Sequence, residues 1–455
     1  MPRYRQGEAP SLNARILRLG LPSIAATLSV PLIGIVDTAL VGHLPEVAYL
    51  GAVAVASVIF DVLYWGFGFL RMGTTALVAQ YYGAGHRRSC TEVLYQAGAI
   101  AIGAGLAFVL LQHVIADVGF RLAGGTDEVQ FWGKQYFAIR ILGAPLVLTG
   151  YVLVGFFRGT ANAMAPMWMT VVVNVVNVVG DYVLIYGKLG APELGVLGAA
   201  WASVLAGLAG LIYALGVLVL RYRPYLAERP QSLLRGPKLR LLLATNANLF
   251  GRTASLLFAQ FFMLSTVARM GEVALAANAV MMQIWSLASY TVDGFAFAAE
   301  TLVGNCLGRK DFAEARRVAR RCILWGVTLG IGYAVGYAAA IDLIVNGFTD
   351  HVPVRQTAAS LIFWVAAIQP LNAVVFILDG IFIGANDTGY LFKAMALSAF
   401  GIYLPATLFL VYCLGLDLKG AWMGYNCLMI GRFATLAPRY AGNRWMRTFV
   451  EDGFA

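Results

Sequence analysis

The sequence predicts an all-α integral membrane protein: twelve transmembrane helices in two six-helix lobes related by a pseudo-two-fold axis along the membrane normal. Three observations carry that reading. Of the 455 residues, 60% are hydrophobic and 12% charged, about half the charge of a soluble domain, so the chain has too few polar groups to cover a water-facing surface. Twelve apolar segments have roughly the 20 residues needed to cross about 30 Å of hydrocarbon; they fall near 15–43, 50–81, 92–117, 131–157, 164–187, 195–220, 240–268, 274–306, 319–346, 355–382, 390–414 and 419–440. The third observation is that the two halves match each other at a single offset.

The first segment follows MPRYRQGEAPSLNARILRLG and continues apolar to about Leu44 with no small-residue cleavage site, so it reads as a retained span and not a removable signal peptide. Pro22 and Pro31 interrupt it, each removing a backbone hydrogen bond and allowing a kink. After six spans comes RYRPYLAERPQSLLRGPKLR (221–240), the longest polar interval, with three prolines. It divides the chain into an N-lobe (1–222, spans 1 to 6), a cytoplasmic linker (223–239), and a C-lobe (240–455, spans 7 to 12) ending in a short cytoplasmic tail. Sliding the sequence by 225 residues pairs Leu50, Ala52, Ala54, Val55, Ile59, Leu77, Val78 and Gly83 with identical residues. The same offset pairs Gly155, Phe157 and Gly159 with Gly380, Phe382 and Gly384. Six spans is an even number, so the repeats enter from the same side and are parallel, with a cleft between them, which is transporter architecture.

The net charge of +10 is carried at the ends of the spans. With the N-terminus inside, 24 Lys and Arg fall on the cytoplasmic side, Arg432 counted among them, and six outside. That predicts both termini in the cytoplasm. No basic run is interleaved with aromatics on a polar background, which argues against a nucleic-acid partner. Cys90, Cys306, Cys322, Cys413 and Cys427 are scattered without a CxxC pair, so they suit packing better than a disulfide framework or a zinc site. His43, His86, His113 and His351 are isolated, and no phosphate-cradling glycine loop is present. The chain reads as a non-enzyme with no cofactor.

Ionisable residues inside spans cost several kcal/mol and are functional candidates by default. Asp37 in span 1, Asn177 and Asp181 in span 5 and Ser203 in span 6 fall in one layer, the Asn and Asp sharing a helix face four residues apart. The 225 offset takes Asp37, Asn177 and Asp181 to Phe262, Ile402 and Ala406, so the acids belong to one lobe. Two carboxylates in a low-dielectric site cannot both ionise cheaply. Such a set can hold a proton, or coordinate Na⁺ with the Asn and Ser oxygens, or serve as a buried hydrogen-bond network that fixes helix packing. A second polar set, Arg252, Asp293 and Glu300, has internal charge compensation as its plain reading. Asp61, Asp379, Arg71 and Arg140 also lie inside spans without an assigned partner.

The segments VDTALVGHL (36–44), GFFRGTANAMAP (155–166), the Asn177/Asp181 pair, GVLGAAWAS (195–203) and DGFAFAAETLVGNCLGR (293–309) together resemble the multidrug and toxic compound extrusion (MATE) family, in its DNA-damage-inducible (DinF-like) branch. The resemblance spans nearly the whole chain. It implies a monomeric inner-membrane antiporter that exports cationic or amphipathic organic compounds in exchange for H⁺ or Na⁺. By residue, it implies Asp37, Asn177, Asp181 and Ser203 as the cation-coupling positions, with Ser where relatives often have Thr, and Pro22 as the bending proline of the first helix. The acids that the NorM-like branch carries in its seventh and tenth helices are missing from LLFAQFF and PLNAVVF, where Asn372 stands in the place of one. The alternative is a lipid-linked precursor flippase of the same wider superfamily, which would want a larger and more cationic cleft.

Overall fold

A bilayer core offers no water to backbone N–H and C=O groups, so a chain this apolar satisfies them internally as helix. The computed structural model describes residues 11–44, 46–228 and 236–446, and they form helices with no strand among them. Twelve rods follow one another: α1 (Leu12–Gly42), α2 (Val47–Gly66 and Phe69–Gly83), α3 (Arg87–Leu110), α4 (Asp127–Gly159), α5 (Met164–Ile185) and α6 (Val196–Arg221), then α7 (Pro237–Ala268), α8 (Glu272–Gly308), α9 (Phe312–Phe348), α10 (Val352–Ala366 and Gln369–Gly384), α11 (Thr388–Cys413) and α12 (Asp417–Ala441). A short helix, Gln112–Ala123, follows α3. Among the described residues, eight of these helices are long and apolar enough to cross a membrane, and α10 makes a ninth if its two pieces, bent by 56°, count as one span. The remaining three, α1, α7 and α12, have 31, 32 and 25 residues. Each carries an ionisable residue well inside: Asp37, Arg252 and Arg432.

The internal repeat is visible in the closest approaches of backbone to backbone. A β-carbon on Gly155 would strike the carbonyl oxygen of Arg71, and one on Gly380 would strike that of Ala296. One on Gly105 would strike Pro145, and one on Gly330 would strike Pro370. Every member of the second pair in each case lies 225 residues after its counterpart. Left-handed backbone recurs at the same interval, at Ala161 (φ 57°) and Asn386 (φ 56°), which end α4 and α10. Small residues at these points let helices approach closely, the main attraction between helices where lipid removes the hydrophobic drive.

Two compact units form. One comprises Ala25–Leu243; the other gathers Ala244 onward and adds the chain up to Ile24. Helix α1 therefore begins with the second unit. There Arg15 Nη1 pairs with Glu314 Oε1 at 3.0 Å, Trp325 Nε1 donates to Asn13 Oδ1 at 3.4 Å, and Gly20 lies against the ring of Phe295. Helix α7 conversely begins with the first unit, where Lys238 Nζ meets Glu92 Oε2 at 2.7 Å and Ser89 Oγ at 2.9 Å. Within the interval 223–239 the structure has a short helix, Arg223–Leu226, and residues 229–235 lie outside the described part. Helix α1 stays continuous through Pro22 and Pro31.

Candidate functional site

Helix α5 has its polar side turned inward. Val171, Val175, Val179 and Tyr182 are exposed, while Asn177 and Asp181 are buried, and Asn174 lies three residues before Asn177 on the same face. A helix with valines outward and carboxylate inward suits a lipid surround and a polar interior. The neighbouring helices are set by small residues. A β-carbon on Gly180 would sit 3.0 Å from that of Ala202, so α5 and α6 touch beside Asp181, and half-buried Ser203 follows Ala202 directly. Tyr186 Oη donates to the Leu40 carbonyl at 2.8 Å. That bond ties the end of α5 to α1 within a turn of Asp37, and holds the two aspartates opposite one another.

The carboxyls of Asp37 and Asp181 lie close enough to hydrogen-bond when one of them holds a proton. Asp37 Oδ1, both oxygens of Asp181, Asn174 Oδ1 and Asn177 Nδ2 are buried and have no hydrogen-bond partner among the described residues. Neither Ser203 nor Asn177 donates to Asp181. Buried polar atoms are paired in the great majority of cases, and α1 and α5 together hold five exceptions among the described residues. Four of the sequence-derived positions thus sit together in one unit, Asp37 against Asp181, Asn177 on the same face, and Ser203 at the adjoining helix contact.

Arg140, on α4, belongs beside this set, although the sequence assigns it no partner. Its Nη1 donates to Tyr136 Oη at 3.0 Å and Ser57 Oγ at 3.4 Å, and its guanidinium lies 4.7 Å from the centre of the Phe60 ring. It acts electrostatically on both Asp37 and Asp181. The available signal was a lone arginine inside an apolar span, which needs an acid within reach.

The second unit is arranged differently. Arg252 on α7 and Arg432 on α12 both donate to Asp379 Oδ2 on α10, all three buried. Asp379 is therefore the acid that compensates Arg252. Arg432, counted among the cytoplasmic cations by its sequence position, is 1% exposed within α12; it is a core residue, because a guanidinium two-thirds of the way along a membrane helix is stable there with a carboxylate to receive it. Asp293 acts electrostatically on Arg432, while Glu300 is buried and has polar interactions of its own. Asn372 is buried, with Nδ2 3.5 Å from Gln369 Oε1.

A twelve-rod chain, internally duplicated and with a polar interior cluster, is the build of a multi-pass membrane transporter. The chain belongs to the MatE family, whose model matches residues 22–183 and 250–409. It is 33% identical over 433 residues to DNA damage-inducible protein F of Escherichia coli (strain K12), covering 94% of this chain and 90% of that one. It is 27% identical over 447 residues to a probable multidrug resistance protein NorM of Bradyrhizobium diazoefficiens, covering 94% of each. A solved structure described as the outward-facing conformation of a multidrug resistance MATE family transporter has the same fold, with TM-score 0.86 at 18% identity over 96% of this chain and 98% of that one. The chain is a transporter of this family, in its DinF-like branch, and not an enzyme.

Proposed function

We propose that this chain is a secondary active multidrug efflux antiporter of the inner membrane, with both termini cytoplasmic. It exports cationic or amphipathic organic compounds in exchange for H⁺ or Na⁺ by alternating access. The coupling site is the cluster of Asp37, Asn177, Asp181 and Ser203. The observation that carries this reading is the set of buried carboxylate oxygens with no donor among the described residues. A proton between Asp37 and Asp181 satisfies both carboxyls with one short hydrogen bond. A Na⁺ ion instead takes oxygens from the two aspartates, Asn177 and Ser203, the hard donors such an ion prefers. Loading changes the charge of the site by one unit in a low-dielectric surround, enough to shift the populations of two conformers whose sites differ in solvent access. Pro22, whose ring lacks a backbone N–H to donate within the helix, provides the place where α1 bends as this happens.

The test is uptake of a fluorescent organic cation into proteoliposomes under an imposed pH gradient or an imposed Na⁺ gradient, with the wild type and Asp37→Asn. One gradient drives uptake by the wild type, and the variant, still folded, loses it. Undiminished gradient-driven uptake by Asp37→Asn sinks the site assignment. A wild type that moves no cation under either gradient but translocates a labelled lipid-linked precursor would replace this reading with that of a flippase.

A further inference from the structure

Asp61 takes no part in the coupling cluster. It lies 13 residues into the long helix Ala48–Gly83, about 20 Å along it at 1.5 Å per residue. Its side chain is exposed, and among the described residues no donor is bonded to its carboxylate. An ionised carboxylate at that depth is not tolerated against lipid tails, since even favourable insertion scales charge several kcal/mol for it. Its open side therefore meets water or a guest. The residues around it are apolar and aromatic, with Val58 and Val62 exposed beside it. Trp65, one turn on along the same face, is 47% exposed, Tyr64 adjoins it, and Tyr151 of α4 is within electrostatic range. A carboxylate beside the exposed Trp65 ring and apolar valines suits an organic cation whose charge is spread over a bulky apolar body.

Arg140 connects this position to the coupling cluster. Its guanidinium bonds to Ser57 and lies over Phe60, both within one turn of Asp61 on α2. The charged and titratable groups that face it are Asp37 of α1, Asp61 and Tyr64 of α2, Tyr136 of its own helix and Asp181 of α5. One positive charge thus stands among three carboxylates in two places. We propose that Asp61 recognises the positive charge of the exported compound, and that Arg140, shared between Asp61 and the Asp37/Asp181 pair, makes the compound and the coupling cation exclude each other. With the pair empty and negative, Arg140 is drawn to it and Asp61 is left to attract the compound. When the pair takes H⁺ or Na⁺, the field of Arg140 falls on Asp61, and the compound is released. This inference rests on the antiport reading above and assigns the residues by which its two ligands sense each other.

The probe is tetraphenylphosphonium, titrated calorimetrically into the purified full chain in lipid nanodiscs, at low and high concentrations of H⁺ and of Na⁺. Asp61→Asn weakens binding at least about tenfold, or 1.4 kcal/mol. Asp61→Glu, which keeps the charge, restores most of it, and so separates recognition from a packing defect. Arg140→Gln still binds the probe but loses the competition by H⁺ or Na⁺ seen in the wild type. Wild-type binding with Asp61→Asn unchanged overturns the recognition role. Competition that persists in Arg140→Gln overturns the shared-charge role. A wild type that binds no tetraphenylphosphonium under any condition instead overturns the cation-export reading on which both depend.

Discussion

The two halves of the chain share a backbone and differ in what they bury. Gly155 and Gly380, 225 residues apart, meet the carbonyls of Arg71 and Ala296, also 225 apart, yet the polar interiors have opposite character. The first half encloses two aspartates, three of whose oxygens are buried without a donor among the described residues. The second encloses two arginines that converge on one aspartate. The offset takes Arg252, Asp379 and Arg432 back to Thr27, Val154 and Gly207, so neither set has a copy in the other half. The difference separates two uses of buried charge. Two arginines bonded directly to one acid hold three helices together, while two acids facing each other with Arg140 only nearby are, on the function proposed above, the pair that takes up and releases a cation.

Substituting Asp379 by Ala tests the contrast most severely. It leaves two guanidiniums buried without a counterion, and stability falls by about 3–5 kcal/mol, seen as a lowered melting temperature or loss of folded protein in detergent. Asp181→Asn, the same kind of change in the other half, removes a carboxylate that had no donor. It lowers stability by less than about 1 kcal/mol or raises it, while transport is lost. Equal melting losses in the two variants would erase the distinction between compensated and open clusters. Next in size are Gly155→Ala and Gly380→Ala, which push a methyl into the Arg71 and Ala296 carbonyls. Each destabilises by about 1–3 kcal/mol, and thermal unfolding checks that the two losses are alike; a tolerant member would show that the halves have relaxed apart. Smallest is Tyr186→Phe, which forfeits the hydroxyl bond to Leu40 and about 0.5–1.5 kcal/mol. Coupling-ion affinity measured on that variant falls if the bond holds Asp37 opposite Asp181.

The lengths and order of the helices were legible because hydrocarbon thickness sets them. The spans expected at 164–187, 195–220 and 419–440 are α5 (Met164–Ile185), α6 (Val196–Arg221) and α12 (Asp417–Ala441). Asp37, Asn177 and Asp181 were legible because a carboxylate in an apolar run is expensive and helical periodicity fixes its face. Partners on different helices were not, since depth along a helix says nothing of its rotation toward neighbours when most of its surface is apolar. Asp379 therefore gives no hint of Arg252, and Arg432, although inside the span expected at 419–440, is counted with the cytoplasmic cations on its charge. Arg140 was visible as a lone charge, but its position among Ser57, Phe60 and Tyr136 depends on how α2 and α4 pack. The break in α10 between Ala366 and Gln369, and the π-helical turns Leu397–Tyr403 within α11, likewise arise from packing that no single segment encodes.

The docking of the first turns of α1 has a temporal side. Arg15 and its partner Glu314 are separated by 299 residues. At the usual synthesis rate of about 5–20 residues per second, the ribosome needs roughly 15–60 s between making the one and the other. During that interval the cationic start of the chain, with Arg15 and Arg18, has no acceptor on α9. The turns of α1 up to Ile24 therefore join their unit only after α9 exists, while the rest of that helix belongs to the unit completed earlier.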